Sequence, residues 1–169
     1  GYADIVVGAH YDDNNGSDSG SARVISGIDG AVLYVFNGDD ALDEFGYSVA
    51  GAGDVNNDGY ADIVVGAYGD DNNGSSSGSA RVLSGIDGAV LYTFDGDSTY
   101  DQFGGSVAGA GDVNMDGYAD IVVGAYGDDN NGSTSGSARI LSGIDGAVLY
   151  TFNGDDADDE FGYSVAGAG

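Results

Sequence analysis

The sequence predicts an all-β fold built from about three copies of one unit of four short antiparallel strands. A segment that begins Gly-Tyr-Ala-Asp-Ile-Val-Val at residue 1 recurs at residues 59 and 117, which is a period of 58 residues. Residues 59–111 and 117–169 differ at eight of 53 positions, and residues 1–53 and 59–111 differ at eleven. Glycines, 33 of the 169 residues, lie at the turns between β-branched and aromatic runs, and no stretch shows helical periodicity. Self-similarity at a fixed period predicts a repeat architecture.

Residues 45–102 represent the unit, and four strands are predicted in order within it. The first, 45–53, consists mainly of small residues, which suit the crowded inner strand of a radial array. The second, 62–67, contains the β-branched run Ile-Val-Val, typical of a buried strand. The third and fourth, 79–84 and 89–94, flank an Asp-Gly turn signal. Four such strands per unit are typical of one blade of a β-propeller.

A propeller needs about 4–8 blades to close, so three units form an incomplete propeller. We expect a part of a larger array, or an assembly such as two chains that together make six blades. The predicted divisions are a partial blade at 1–44, blades at 45–102 and 103–160, and the first strand of a further blade at 161–169. A five-residue Asp-Val-Asn-x-Asp segment would join residue 169 to another residue 1, so a fragment of a longer array is expected. A β-solenoid is the alternative, although its coils are usually shorter than this period.

The loop between the first two strands has the pattern D-x-N-x-D-G-x-x-D at 54–62 and again at 112–120. Alternating oxygen ligands with Gly at the sixth position suit Ca²⁺, which takes about 6–8 oxygens. An EF-hand loop would carry Glu at its twelfth position, where this chain has Val65 and Val123. A solvated turn without metal is the alternative, but three carboxylates in nine residues would repel one another without a cation. The predicted Ca²⁺ ligands are the side chains of Asp54, Asn56, Asp58 and Asp62 with the carbonyl of Tyr60, the side chains of Asp112, Asn114, Asp116 and Asp120 with the carbonyl of Tyr118, and Asp4 as the last ligand of a loop whose first half is absent.

These motifs together resemble the FG-GAP repeat, the calcium-binding blade of integrin α-subunit propellers and of many bacterial surface proteins. Phe-Gly occurs at residues 45, 103 and 161, and the Gly-Ala that precedes the family's Pro occurs at residues 8, 66 and 124. The resemblance implies a multi-blade propeller with Ca²⁺ in some hairpins and a role in adhesion or scaffolding outside the cell. His10, Tyr68 and Tyr126 replace the family's Pro. The near-identity of the units favours a bacterial or archaeal surface array.

Composition narrows the function classes. The formal net charge of −26 comes from 29 acidic residues against three Arg, and it opposes binding to nucleic acid or to anionic membranes. No apolar run approaches the ~18 residues of a membrane span, so no membrane insertion is expected. No Cys is present, and His10 is the only His, so no catalytic set is predicted and the chain is not expected to be an enzyme. Calcium loops of modest charge favour a secreted or cell-surface location.

Three other recurring features leave alternatives open. The only cations, Arg23, Arg81 and Arg139, are predicted to pair with nearby Asp residues, with a carboxylate-ligand clamp as the alternative. The Asp-Asp-Asn-Asn loops at 12–15, 70–73 and 128–131 are solvated turns or second cation sites. The fourth-strand tyrosines, Tyr34, Tyr92 and Tyr150, are predicted to pack between strands, with an interface or a sugar platform as the alternative.

The function predicted from the sequence is a calcium-stabilised segment of an extracellular adhesion or structural protein. Its expected partners are an extracellular protein or glycan ligand and further repeats, which close the propeller or extend a filament. A glycan-binding, lectin-like propeller and an accessory domain of a secreted hydrolase are the alternative functions.

Overall fold

The computed structural model describes residues 2–169, and every regular element in this range is a β-strand. No helix of the described residues could cross a membrane. The eleven strands are β1 (Ile5–Ala9), β2 (Ser21–Ile25), β3 (Val32–Asn37), β4 (Ser48–Gly53), β5 (Asp62–Ala67), β6 (Ser79–Leu83), β7 (Val90–Asp95), β8 (Phe103–Gly111), β9 (Asp120–Ala125), β10 (Ser137–Leu141) and β11 (Val148–Asn153).

The strands form three antiparallel sheets in which chain neighbours are sheet neighbours. The first sheet has the order β1-β2-β3, the second β4-β5-β6-β7 and the third β8-β9-β10-β11. A solenoid would stack parallel strands from successive coils, so that alternative is wrong. The all-β prediction of four-stranded antiparallel blades in an incomplete propeller is confirmed.

The start of each unit differs from the predicted first strand. In the second unit the strand begins at Ser48 instead of residue 45, and Phe45 makes an isolated bridge to Gly20 of the first unit. In the third unit the strand runs over the whole predicted span, Phe103–Gly111. Residues 161–169 contain the corresponding bridge, Gly136 to Phe161, and no strand, so a first strand of a further blade at this position stays a prediction.

The hydrophobic core lies between neighbouring sheets, because each blade covers the apolar face of the next. One cluster joins Val24 of the first unit to Val65 and Leu83 of the second. The other joins Val82 of the second unit to Val123 of the third. Burial of these aliphatic side chains, each worth roughly 1.5–3 kcal/mol, holds adjacent blades together.

Each arginine pairs with an aspartate, as the structural interpretation of these residues predicts. Arg81 forms a bidentate salt bridge with Asp39 of the preceding unit. Its guanidinium carbon lies 5.2 Å from the centre of the Phe45 ring. The third unit repeats this arrangement with Arg139 on Asp97 and Phe103. Planar, bidentate pairing of this kind fixes the orientation of two blades as well as attracting them.

Glycine is required where strands of neighbouring units approach most closely. A Cβ built on Gly66 would lie 1.9 Å from the carbonyl oxygen of Gly104, and one on Gly124 would lie equally close to the carbonyl oxygen of Gly162. This contact explains the Gly of the Gly-Ala motif at the end of each second strand.

Candidate metal centre

The two Asp-rich loops occupy equivalent places, each between the first and second strand of a four-stranded sheet. The first loop follows β4 and leads into β5 at Asp62, and the second follows β8 and leads into β9 at Asp120. Gly59 and Gly117 have φ angles of 90° and 92°, which only glycine adopts readily. The sixth-position glycine therefore makes the turn that brings the polar side chains to the inside of the loop.

The side chain of Asp54, the first predicted ligand, accepts hydrogen bonds from backbone amides of the loop. Its Oδ1 accepts a hydrogen bond from the Asp58 amide, and its Oδ2 accepts one from the Gly59 amide, both at 2.9 Å. The Asn56 side chain donates from Nδ2 to Asp58 Oδ2 at 2.9 Å. These bonds hold three of the predicted ligands together. Each oxygen that accepts one N–H retains a second lone pair, with which it could bind a cation.

Asp58 accepts a hydrogen bond on its other oxygen from the amide of Tyr60, at 2.9 Å. Tyr60 itself is 54% exposed. The second loop repeats these contacts at Asp112, Asn114, Asp116 and Tyr118, with distances of 2.8–3.0 Å.

Asp62, the last predicted ligand, is fully buried and ties the loop to a turn elsewhere in the sheet. Its Oδ2 accepts from the Val55 amide and its Oδ1 from the Gly85 amide, both at 2.9 Å. Asp120 makes the same pair of bonds to Val113 and Gly143. Sequence reasoning missed this second role, although the Gly-Ile-Asp-Gly turn keeps a fixed spacing from each of these aspartates.

The surroundings of Asp62 disfavour the ionised form of its carboxyl group. Burial raises the pKa of its carboxyl group, the N–H groups of Gly85 and Val55 oppose that shift, and the charges of Asp58 and Asp54 add to it. A cation in the loop would offset both the burial and the repulsion. The electrostatics of the loop therefore favour a bound positive charge.

The donor chemistry of each loop fits a hard divalent cation, with carboxylate, amide and carbonyl oxygens on one short segment. Within residues 2–169, however, no three carboxylates converge closely enough to form a metal site. The structure brings Asp54, Asn56 and Asp58 together through hydrogen bonds, while Asp62 is turned toward Val55 and Gly85. The assignment of these residues as ligands stays a prediction.

Asp4 occupies the position in the first unit that Asp62 and Asp120 hold in the others. Its Oδ1 accepts a hydrogen bond from the Gly27 amide at 3.0 Å. Asp4 therefore contacts the turn after β2, as Asp62 contacts the equivalent turn after β6. This contact explains why Asp stands here independently of any metal.

The Asp-Asp-Asn-Asn loops form internal hydrogen bonds. Asp70 is buried and accepts from the Ser79 hydroxyl at 2.7 Å, and Asp71 accepts from the Ser76 amide at 2.6 Å. Asn73 donates to the carbonyl of Gly96 at 2.8 Å, which ties the loop to the end of β7. These bonds account for the polar residues as turn-forming groups.

The fold and the loops define the chain as a segment of a β-propeller, built from antiparallel blades with an Asp-rich first hairpin. The family model for the FG-GAP repeat matches residues 45–83 and 103–141, which are the first three strands of the second and third units. Residues 45–83 and 103–141 are therefore FG-GAP repeats.

Curated relatives are integrin α-chains. The chain is similar to integrin alpha-8 of Mus musculus, with 32% identity over 171 residues that cover 88% of this chain and 15% of that protein. It is 38% identical to integrin alpha-6 of Homo sapiens over 144 residues, covering 76% of this chain and 11% of that protein. It is also 32% identical to integrin alpha-5 of Xenopus laevis over 138 residues, covering 76% and 13%. The chain thus spans roughly a seventh or less of the length of these relatives.

Proposed function

We propose that this chain is a calcium-stabilised propeller segment of an extracellular adhesion or structural protein. The observation that carries the proposal is the repetition of one oxygen-rich loop at the same place in two successive blades, with the same internal hydrogen bonds. Similarity to integrin α-chains supports the adhesive role and the location outside the cell.

In this proposal the ions are structural. Asp54, Asn56, Asp58 and Asp62, with the Tyr60 carbonyl, hold the first Ca²⁺, and the equivalent residues of the 112–120 loop hold the second. The bound cation supplies positive charge to a carboxylate cluster that repels itself, and the chain's own residues fix the hairpin between two strands. Catalysis is no part of the proposed function, because near-identical blades offer no unique set of acid, base and nucleophile.

The partner of this segment is an extracellular macromolecule, in keeping with its integrin α relatives. A sugar platform on the fourth-strand tyrosines has less support. The Tyr34 hydroxyl donates to the carbonyl of Ile86, and the Tyr92 hydroxyl donates to that of Gly143, each at 2.9 Å across two units. These two tyrosines therefore serve as contacts between blades.

The test compares Asp58→Asn and Asp116→Asn with the unchanged chain, by thermal unfolding in calcium and in chelator. The Asn oxygen can still accept the amide hydrogen bond of residue 60 or 118, while the charge needed by Ca²⁺ is removed. We expect each variant to lower Tm in calcium and to match the unchanged chain, or exceed it, in chelator. Equal losses in both conditions would show that the aspartates act without a metal.

Ser75→Asn is the matched control, because it changes an exposed side chain in a polar loop outside both sites. It should leave Tm unchanged in both conditions, which separates loss of metal from a general effect of substitution.

A further inference from the structure

Two tyrosines meet at one end of the hairpin formed by β4 and β5, opposite the 54–62 loop. Tyr47 immediately precedes β4, and Tyr68 immediately follows β5. The ring centres of the two side chains lie 4.4 Å apart, and the ring planes are tilted by 55°. Aromatic pairs usually have their centres about 4.5–7 Å apart, so these two rings are in direct contact. The pair belongs to the middle sheet of the three, with a unit on each side.

Hydrogen bonds fix the backbone on both sides of this pair. The Tyr47 amide donates to the carbonyl of Glu44 at 3.0 Å, and the Gly69 amide donates to the carbonyl of Asp43 at 3.2 Å. The second bond ties the segment that carries Tyr68 to the segment that carries Glu44 and Tyr47. The three side chains are therefore held together by their own backbone.

Glu44 supplies a carboxylate in contact with one of the two phenols. The Tyr68 hydroxyl donates a hydrogen bond to Glu44 Oε1 at 2.9 Å. This distance lies within the range of about 2.6–3.2 Å at which a base takes a proton directly. Glu44 Oε2 is buried and has no hydrogen-bond partner among residues 2–169. A buried anion with an unsatisfied oxygen is unfavourable, and gaining a proton removes its charge.

The Tyr68 phenol keeps its proton at neutral pH. Burial raises the pKa of this phenol well above its ordinary value of 10.0, and the hydrogen bond to Glu44 and the charge of Glu44 raise it further. Loss of an electron from a protonated phenol is accompanied by loss of the proton, because the phenol radical cation is a strong acid. Glu44 lies where that proton leaves.

The third unit lacks this combination of two phenols and a carboxylate. Gly105 and Gln102 stand where the second unit has one of the phenols and the carboxylate. Tyr126, one period after Tyr68, contacts the ring of Tyr163 instead, with ring centres 5.3 Å apart. No carboxylate of the described residues accepts a hydrogen bond from the Tyr126 hydroxyl. The arrangement around Tyr68 is therefore not a feature that every unit repeats.

We propose that Tyr47 and Tyr68 form an oxidative modification site, at which a carbon–carbon bond between the two rings gives dityrosine, with Glu44 as a proton acceptor. The co-reactant is hydrogen peroxide activated by a haem peroxidase, which takes one electron from each phenol. The proposal goes beyond the proposed function and requires neither a bound metal nor an adhesive role.

The reaction balances in electrons and atoms. Each phenol gives up one electron and one proton; the Tyr68 proton passes to Glu44, and the proton of Tyr47, which is 41% exposed, passes to water. The two radicals couple between ring carbons next to the oxygen-bearing carbons, and the hydrogen on each coupled carbon moves to the oxygen to restore two phenols. Glu44 then releases its proton to water. The two electrons and two protons convert one hydrogen peroxide into two molecules of water, and the chain loses two hydrogen atoms.

The new bond joins the two strands at the end of the hairpin that lies opposite its turn. β4 and β5 pair from Ser48 with Gly66 to Gly53 with Asp62, and the 54–62 loop connects them. A bond between residues 47 and 68 makes this hairpin a covalent ring. Ring closure restricts the unfolded chain, as a disulfide does, and so favours the folded state. Modification therefore stabilises the hairpin independently of any cation in the loop.

Peroxidase treatment of the full 169-residue chain, at low protein concentration and with limiting hydrogen peroxide, tests the site. Trypsin cleaves the chain only after Arg23, Arg81 and Arg139, so both tyrosines lie in the 24–81 peptide. We expect dityrosine fluorescence and a 24–81 peptide that has lost two hydrogen atoms. A main product that links two different tryptic peptides or two chains would overturn the assignment, as would the absence of dityrosine.

Phenylalanine variants locate the bond, because they keep each ring and remove its hydroxyl. Tyr47→Phe and Tyr68→Phe should each abolish the loss of two hydrogens from the 24–81 peptide. Tyr34→Phe removes another phenol from the same peptide and should leave the product unchanged. Circular dichroism checks that each variant folds. The same loss of two hydrogens in Tyr47→Phe or Tyr68→Phe would show that other tyrosines are joined.

Glu44→Gln tests the proton acceptor, since the amide oxygen can still accept from the Tyr68 hydroxyl while the base is removed. We expect cross-linking at neutral pH to slow by at least about tenfold, in keeping with the effect of losing a positioned base. A group that only positions the Tyr68 ring would be replaced by Gln without this loss. An unchanged rate in a folded Glu44→Gln variant would exclude Glu44 as the proton acceptor.

Thermal unfolding in chelator tests the consequence for the hairpin. The cross-linked chain should have a higher Tm than the untreated chain, and peroxidase-treated Tyr68→Phe should show no such gain. Equal Tm values for the cross-linked and untreated chains would overturn the stabilising role of the bond.

Discussion

At the residue scale, each of the Asp-rich loops at 54–62 and 112–120 contains one position whose backbone is unusual for its side chain. Asn57 and Met115 occupy the same position in the two loops, with φ angles of 57° and 61°. Asn tolerates this left-handed conformation, while for most other L-residues it costs roughly 1–2 kcal/mol. Met115 is also 92% exposed, so it gains nothing from burial in return. The second loop is therefore the more strained of the two.

Met115→Asn should stabilise the chain by about 1 kcal/mol, because it relieves this backbone strain. The measurement is the free energy of unfolding in denaturant, with chelator present so that metal binding does not contribute. Asn57→Met is the reciprocal control and should cost about the same amount. If Met115→Asn does not raise the free energy of unfolding and Asn57→Met does not lower it, the left-handed backbone is not formed in solution.

At the scale of elements, blades are joined by a small set of contacts that recur once per period. The Tyr92 hydroxyl bond to Gly143, the Arg139 pair with Asp97 and the close approach of Gly66 to Gly104 each connect one unit to the next. The contacts involve residues far apart in sequence, so they determine how blades sit together and not whether each strand forms.

Tyr92→Phe should lower the free energy of unfolding by about 1 kcal/mol, since it leaves the carbonyl of Gly143 without this donor. Tyr60→Phe is the matched control, because the Tyr60 side chain is exposed and its hydroxyl makes no described hydrogen bond. Denaturant unfolding measures both. An equal effect of the two changes would show that loss of the Tyr92 hydroxyl contact does not weaken the blade interface.

Much of the element level follows from the sequence, because the repeat is regular and the strand signals are local. The Ile-Val-Val run of β5 and the Asp-Gly turn before β7 both lie where they are predicted. The late start of β4 relative to β8 was not predictable from the pattern, which gives the same first strand in both units. Gly105 stands where the second unit has Tyr47, and a side chain there would collide with the Tyr126 ring.

In the candidate site, the ligand types could be predicted from spacing, but their hydrogen bonds could not. Asp62 reads as a ligand because it ends the nine-residue pattern, yet its bond to Gly85 spans 23 residues and depends on sheet pairing. Such long-range contacts appear only when β5 and β6 are placed side by side.

At the scale of the whole molecule, a net charge of −26 on 169 residues opposes the compact state. Part of this cost falls on carboxyl groups that are buried close to other carboxylates. Burial raises the pKa of Asp43, and the charges of Asp70 and Asp40 add to the shift while the Asp40 amide opposes it. Burial likewise raises the pKa of Asp101, with Asp128 and Asp97 adding to it and Arg139 opposing it.

These shifts give the pH dependence a definite sign. A carboxyl group whose folded pKa exceeds its unfolded value binds protons more readily in the folded state. Stability contributed by Asp43 and Asp101 therefore rises as pH falls from neutral through their folded pKa, and levels off below the ordinary value of 3.8. We expect Tm in chelator to increase on mild acidification.

Asp43→Asn with Asp101→Asn isolates these two groups. The amide oxygen can still accept from residue 40 or 98, while the charge is removed. The double variant should have a higher Tm than the unchanged chain at pH 7 and a flatter rise toward lower pH. The same pH slope in both proteins would mean that other carboxyl groups are responsible.

The most direct test of the calcium assignment is isothermal titration calorimetry of the 169-residue chain with Ca²⁺, with stoichiometry as the readout. We expect about two ions per chain, one for each complete loop, and about one for Asp58→Asn or Asp116→Asn alone. Absence of binding, or a stoichiometry unchanged by both substitutions, would contradict the assignment of the 54–62 and 112–120 loops as calcium sites.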